Sequence, residues 1–358
     1  MSALPRGVGR SRRAPLLAQV VLALGILTVI VVSGATGPAD VTPQDAGRVI
    51  LGHLLPDASW MSDGSLTRLQ DQAVWQFRLP RTLLAGLAGA GLALAGALMQ
   101  AAVRNPLAEP YVLGVSAGAG LGAVAVITLG SATLAGLPVS GAAFLGALGA
   151  TAAVALLSRH HGTLAPTRMI LTGVALGSLL SALTSYLTLT TEAQNVFSVL
   201  FFLLGSVSAA AMDQLVVPAV ALLVVMLFAL ANARALNALL AGDESATALG
   251  VRVHRLRGQL IVAASLLTGA VVAVSGGIGF VGLVVPHSAR ILVGADHRRM
   301  LPVTVLAGAL FLMTADLLAR TVAAPTEIPL GIVTAVVGAP CFLWLIRRGR
   351  AARAGMLR

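Results

Sequence analysis

Few side chains in this sequence could do chemistry, and their spacing limits what that chemistry is. Asp316 and Arg320 stand four residues apart in an apolar run; on a helix they share one face and suit an ion pair. The six histidines, His53, His160, His161, His254, His287 and His297, show no spacing with carboxylates or with the one cysteine, Cys341, that would build a metal site. Adjacent His160 and His161 point to different faces of a helix at the end of an apolar stretch, an interfacial placement. His287 follows Pro286 inside another apolar stretch, where a neutral imidazole would satisfy carbonyls freed by the proline. All 24 basic Lys+Arg residues are arginine. A phosphate-binding P-loop needs a lysine, so the chain is not its own P-loop ATPase. A single cysteine allows no intramolecular disulfide.

The elements that must hold these groups are membrane spans. Of 358 residues, 57% are hydrophobic and 10% charged, with a net charge of +11; a water-facing surface cannot be built from so little charge. Uncharged stretches run from Ala14 to Ala39, Thr82 to Val103, Pro110 to Ser158, Met169 to Thr191, Gln214 to Ala233, Gly258 to Ala289 and Ile328 to Ile346, most of them as long as the ~20 apolar residues that cross a bilayer. The first follows Arg6, Arg10, Arg12 and Arg13 like a signal peptide, but its length and the lack of a small-residue cleavage site point to a retained anchor.

Placing the arginine-rich N-terminus in the cytoplasm makes the breaks alternate as the positive-inside rule requires. Asp40, Asp45, Asp57, Asp63 and Asp71, with Arg48 and Arg68, fall outside, and Arg104 inside. The Gly130 to Pro138 break is outside, then Arg159 to Arg168 inside, Glu192 and Asp213 outside, Arg234 to Arg257 inside. Arg298, Arg299 and the arginines from Arg347 to Arg358 are inside too. Ala193 to Met212 is apolar enough to cross, yet counting it would put the C-terminal arginines outside. It is therefore an interfacial or re-entrant piece on the outer side, and about ten spans remain. The expected organisation is a cytoplasmic tail over 1–15, one membrane domain over 16–350 and a cytoplasmic tail over 351–358. Residues 36–77 form the extracytoplasmic segment and 235–257 a cytoplasmic one.

Several patterns suggest a transporter. The run from Arg78, RLPRTLLAGLAGAGLALAGALMQ, has a loose echo from Arg255, RLRGQLIVAASLLTGAVVAVSGG, each leading to a proline-containing break, at Pro106 and at Pro286. The charges give the copies opposite orientations, as in the inverted repeats of transporters; low-complexity Gly/Ala/Leu sequence could also produce the echo. Gly114, Gly118 and Gly122 form a small face that lets helices approach closely. Ser178, Ser181, Ser185 and Thr188 make a polar stripe that either lines a pathway or bonds neighbouring helices. Between Ala235 and Gln259 the register of Leu236, Leu239 and Leu240, then Ala246 and Leu249, predicts two short amphipathic helices broken at Gly242-Asp243, suited to dock a soluble partner or to lie on the membrane surface.

These motifs resemble the FecCD family, the import permeases for ferric siderophores and cobalamin. The resemblance covers the chain from about Arg78. It rests on the Arg78 run followed by RNPLAEPYVLGVSAGAG, on GDESATALGV, on GGIGFVGLVVPHSAR, DHRRMLP and ADLLAR, and on EIPLGIVTAVVGAPCFLWLIRR, in that order. It implies an all-α permease subunit of an ATP-binding-cassette importer, with about ten transmembrane helices in inverted repeat halves. The implied setting is the cell membrane, with iron(III)-siderophore as cargo and haem or cobalamin as alternatives within the family. An ion-coupled secondary carrier is the reading from another class; of the carboxylates it would keep at mid-membrane only Asp316 qualifies.

The resemblance further implies two ATPase subunits, an extracytoplasmic substrate-binding protein, and a second permease copy or a paralogue, with no nucleic acid. It implies no metal and no cofactor on this chain, ATP and magnesium being used by the ATPase, and no catalysis by the permease. Arg78, Arg81 and Arg320 match the positions that receive acidic residues of the binding protein. Gly242, Asp243, Glu244, Ser245, Ala246, Leu249 and Gly250 match the segment that enters the ATPase cleft. The pathway is assigned to the spans from Met169 and Ile328, which brings in Thr334 beside the serine stripe.

Overall fold

The structure is a computed structural model that describes residues 13–55, 58–160, 163–164 and 166–354. Arg6, Arg10, Arg12, Asp57, His161 and Arg358, and with them most of the expected N-terminal tail and half of the C-terminal one, lie outside the described residues.

Seven helical stretches are long and apolar enough to cross a membrane: Ala14–Ala35, Arg68–Val103, Val139–Leu157, Arg168–Thr190, Met212–Ala231, Val253–Ser275 and His297–Thr321. They correspond to helices α1 (Arg13–Ala35), α4 (Leu79–Val103, entered through α3, Arg68–Gln72, and one π-helical turn), α6 (Val139–Leu157), α7 (Pro166–Thr190), α9 (Val216–Ala231), α12 (Val253–Ser275) and α14 (His297–Thr321). Shorter apolar helices are α5 (Val115–Leu129), α8 (Ala193–Leu204), α13 (Val281–Val293) and the Leu330–Trp344 part of α15 (Leu330–Ala354). With α8 left out, ten passes remain, the even number that charge parity demands.

Three contacts fix the directions. Arg81, at the start of α4, meets Asp316, near the end of α14. Arg257, at the start of α12, donates to the carbonyl of Ala102, at the end of α4. Asn237 meets His297, at the start of α14. The bundle thus has an Arg78 end and, opposite it, a hairpin end carrying α10 (Ala233–Leu240) and α11 (Asp243–Ala248). Following the passes, the start of α1 and the end of α15 fall at the hairpin end. Helix α8, with 12 residues, reaches about 18 Å, short of the ~30 Å hydrocarbon core. It follows the Arg78 end of α7, and its exit returns there: Ser206 N donates to Ser275 O at 2.9 Å and Leu330 N to Gly205 O at 2.8 Å. It does not cross.

Helix α4 is the buried axis, with 89% of its apolar window inside the bundle, packed by α14, α12, α13 and α9. Its glycines make this possible. A Cβ on Gly89 would lie 2.1 Å from Gly308 O, and one on Gly96 2.2 Å from Gly282 O. The expected small face of α5 is real: Gly118 and Gly122 lie against Gly146 and Ala142 of α6, again with no room for a Cβ.

The repeat survives in outline with a changed register. Helices α4 and α12 pack antiparallel, and each is followed by a break and a short helix, α5 or α13. The second break is at Gly276–Phe280, and Pro286 lies inside α13; two consecutive Gly residues, Gly276 at φ +66°, end α12 before the proline is reached. His160 is also not helical. It pairs with Thr163 in a two-residue antiparallel ladder, Arg159–His160 with Thr163–Leu164.

Gly96→Ala should lower thermal stability in detergent, on the scale of the roughly 1–3 kcal/mol typical of overpacking. The paired control is Gly149→Ala, where a Cβ meets nothing within 4 Å. Equal melting temperatures for the two variants would contradict the α4–α13 contact.

Candidate functional site

At the Arg78 end, three arginines, from the turn before α4, from α4 and from α14, converge with the end of α1 and the loop before α15. Arg78 is the last residue of the π-helical turn; its guanidinium donates to Gly34 O at 2.8 Å and Ala39 O at 2.9 Å. Arg81 lies one turn on, its Nε donating to Asp316 Oδ1 at 2.9 Å and one terminal nitrogen to Glu327 Oε1 at 2.7 Å. Arg320 donates to Ser33 O at 3.0 Å, to the Ser33 hydroxyl and to Thr36 O at 3.3 Å. Its Nε stands 3.8 Å from Asp316 Oδ2. The expected pair of Asp316 and Arg320 is therefore the looser of two, and the closer partner of Asp316 is Arg81, 235 residues away in sequence. Asp316 is 1% exposed, Glu327 37%. Charge density this high at a buried site holds only because each ion has its counter-charge or backbone acceptors. The cluster floors a concavity of about 840 Å³ whose walls include Gly37, Phe77, Ser208 and Pro325.

A second concavity, about 700 Å³, lies between α5, α7 and the Gly276–Phe280 break. Ser178, Ser181 and Ser185 line it, joined by Thr184, Gly177 and Tyr111. Each stripe hydroxyl with an assigned partner bonds back to its own helix: Ser178 to Val174 O, Thr184 to Leu180 O, Ser185 to Ser181 O. None of these three bonds reaches a neighbouring helix, so these hydroxyls do not tie α7 to another span. Thr188, bonded to Thr184 O, is not part of this wall. Thr334 is fully buried and bonded to Gly331 O, so it does not face the concavity.

At the hairpin end the predicted pair of short helices is α10 and α11, broken at Gly242, whose φ of +110° only glycine adopts without strain. Leu236, Leu239 and Ala246 are buried, Leu249 and Leu240 exposed. Asp243 opens α11, where a carboxylate suits the positive end of the helix. Its Oδ1 accepts from Arg257 at 2.8 Å and from Arg104 at 3.3 Å, so α11 is tied to α12 and to the end of α4. Asn237 of α10 donates to Asp296 Oδ1 at 2.7 Å and accepts from His297 N at 2.9 Å. The Asn237 bond holds the Asp296 carboxyl below the usual carboxylate range, helped by Arg298 and Arg299. Glu244, Ser245, Leu249 and Gly250 face outward or lie half-buried on this hairpin. Among the described residues no group of three or more His, Cys, Asp or Glu is placed to hold a metal ion.

Known proteins resemble this chain in sequence and in fold. The model of the FecCD transport family matches residues 24–348. The chain belongs to the FecCD transport family. The hemin transport system permease protein HmuU of Yersinia pestis is 40% identical over 340 residues, 93% of this chain and 98% of its own. The uncharacterized ABC transporter permease protein YvrB of Bacillus subtilis is 43% identical, covering 82% of this chain and 84% of its own. The vitamin B12 import permease BtuC of Klebsiella pneumoniae is 39% identical over 84% and 90%. A solved chain provisionally assigned as a metal-chelate type ABC transporter, in an inward-facing conformation, superposes with a TM-score of 0.78 at 34% identity. It covers 93% of this permease and 99% of its own length.

Several site residues of the permease escape sequence reasoning. Glu327 is in the quoted EIPLGIV motif, but only the fold brings it to Arg81. Tyr111, one of two tyrosines, was the available signal for the groove. Thr184 falls one step off the serine register that defined the stripe.

Asp316→Ala should destabilise the permease strongly, on the order of 3–5 kcal/mol, because Arg81 is left buried with Glu327 alone. Adding Arg81→Met should restore much of the loss. Thermal melting of both variants in detergent checks this; no recovery in the double variant would mean that Arg81 is not held mainly by Asp316.

Proposed function

We propose that this permease carries an intact iron(III)-siderophore complex into the cytoplasm, paired with a second copy of itself and driven by separate ATPase subunits. The observation that supports the cargo most directly is the lining of the groove. That lining is glycine backbone, one tyrosine, the apolar Ala117, Val174 and Leu203, and serine and threonine hydroxyls, of which those of Ser178, Thr184 and Ser185 bond to their own helix. A wall of small residues with few free polar groups binds weakly, which suits passage of a bulky chelate. Specificity then resides in the substrate-binding protein. The haem and cobalamin named for the relatives nonetheless make those two cargoes the readings to test against it.

The hairpin end supports the partner assignment. Helices α10 and α11 present exposed Leu240 and Leu249, a short apolar surface for an ATPase cleft, and they are bonded to α4, α12 and α14. The arginine-rich loops favour a cytoplasmic position for this end. The second copy would cover the exposed apolar faces of α7, α8 and α15, where Leu183, Phe197 and Val336 stand open. The binding protein docks at the Arg78 end. There the acid open to exchange is Glu327, not Asp316, because Asp316 is sealed beneath Arg81.

Reconstituted in proteoliposomes with its ATPase and binding protein, the permease should take up an iron-loaded siderophore in an ATP-dependent manner, faster than haemin or cyanocobalamin. Faster uptake of either competitor overturns the cargo, and uptake that persists without the ATPase subunits overturns the transporter class. Glu327→Gln should tighten capture of the binding protein several-fold at low ionic strength, the gain shrinking as salt screens the exposed charges. Unchanged or weaker capture would show that Arg81 is not the docking group.

A further inference from the structure

The Gly276–Phe280 break is more than a turn between α12 and α13. Along α12, Ser275 stands 18 residues beyond Arg257, roughly 27 Å at helical rise. Arg257 is bonded to Ala102, and Gly282 packs on Gly96, only roughly 9 Å up α4 from that level. Over the eight residues from Ser275 to Gly282 the chain therefore descends roughly 18 Å inside the membrane layer, with 276–280 outside any helix. Unwound backbone at such a depth persists only where protein or a water-lined cavity satisfies it. Its upper part is satisfied by α8: Gly277 N donates to Phe202 O at 3.2 Å. Its lower part is satisfied by the loop that follows α4.

That loop, residues 104–114, is the corresponding break of the other repeat half. Tyr111 reaches from it to Ile278, donating its hydroxyl to Ile278 O at 2.7 Å and accepting from Ile278 N at 2.9 Å. One phenol thus satisfies both polar groups of one residue, as a neighbouring β-strand would. Two positions earlier, Glu109 reaches the first turn of α13: its Oε1 lies 3.5 Å from where a Cβ on Gly282 would stand. Both Tyr111 and Gly277 line the groove. Ile278 itself is completely buried.

We propose that Tyr111 is a positioning residue for transport: its two-way bond to Ile278 clasps the unwound segments of the two repeat halves together and holds one wall of the groove, and this bond opens and closes in each transport cycle. The inference rests on the proposed reading of the groove as the pathway. The physical basis is that the bond is polar and local, so a partner-driven motion that gives the Ile278 N–H and C=O other partners can open and close it reversibly. Gly276 and Gly331 beside it pack backbone on backbone.

The test uses the complete complex with its ATPase subunits and binding protein in lipid. Hydrogen exchange is read at the amides of 276–280, and uptake per ATP hydrolysed is read with whichever of iron-siderophore, haemin or cyanocobalamin the unsubstituted complex transports. Tyr111→Phe keeps the ring and removes both bonds. Exchange at 276–280 should rise at least tenfold, ATP hydrolysis should stay within about twofold, and uptake per ATP should fall several-fold. Unchanged exchange overturns the clasp. Faster exchange with unchanged coupling reduces Tyr111 to a structural role and overturns the proposal equally. In the unsubstituted complex, the same amides should differ at least tenfold in exchange between the nucleotide-free state and a nucleotide-trapped state; equal protection overturns the cycle of opening without recourse to any variant. If the unsubstituted complex transports none of the three cargoes, it is the pathway reading that fails, and the exchange comparison still decides whether the clasp opens.

Discussion

A polypeptide in a bilayer must find a partner within itself for each backbone N–H and C=O it leaves unpaired. In this permease that constraint organises everything around the places where helices stop. The exit of α8, the segment after α12 and the entry of α15 are each incomplete, and they complete one another through Ser206 with Ser275, Gly277 with Phe202, and Leu330 with Gly205. Glycine is required at this junction because the strands touch backbone to backbone: a Cβ on Gly276 would stand 2.1 Å from Phe202 O, and one on Gly331 2.3 Å from Leu204 O. The groove exists because these irregular segments cannot fill space as regular helices do.

The same economy governs charge. Buried arginines are tolerated where carbonyls freed at a helix end and one or two carboxylates surround them, and the Arg78 end supplies both. Arg78 takes the last carbonyls of the α1 region, Arg320 takes others, and Arg81 takes the acids. The cluster therefore knits α1, α4 and α14 together before any partner arrives. In the proposed docking an acid would exchange partners there, and the part-exposed Glu327 is the one positioned to leave.

Much of this was legible in the sequence, for identifiable reasons. Span number and direction follow from charge parity, which is a sum over many arginines and insensitive to any one of them. The hairpin at Gly242-Asp243 is legible because a glycine followed by acids is both a helix stop and a helix start. What local pattern could not reveal are contacts between distant segments: Asp316 with Arg81, Asn237 with His297, Tyr111 with Ile278. The i,i+4 spacing of Asp316 and Arg320 correctly put them on one face, yet a fixed spacing has no knowledge of a stronger partner on another helix. Likewise Pro286 looked like the break because proline interrupts helices, while the paired glycines ten residues earlier had already released the chain. The serine stripe was recognised by periodicity, but Thr334 was added by resemblance alone and is sealed in the core.

The hairpin is held to the bundle in two ways. Leu236, Leu239 and Ala246 are buried in the core, and two polar contacts stand beside that packing. At Asp243 a single carboxylate oxygen serves Arg257 and Arg104, and at Asn237 one amide serves Asp296 and His297. A push from a soluble partner would therefore be handed first to α4, α12 and α14, the helices on which those contacts end.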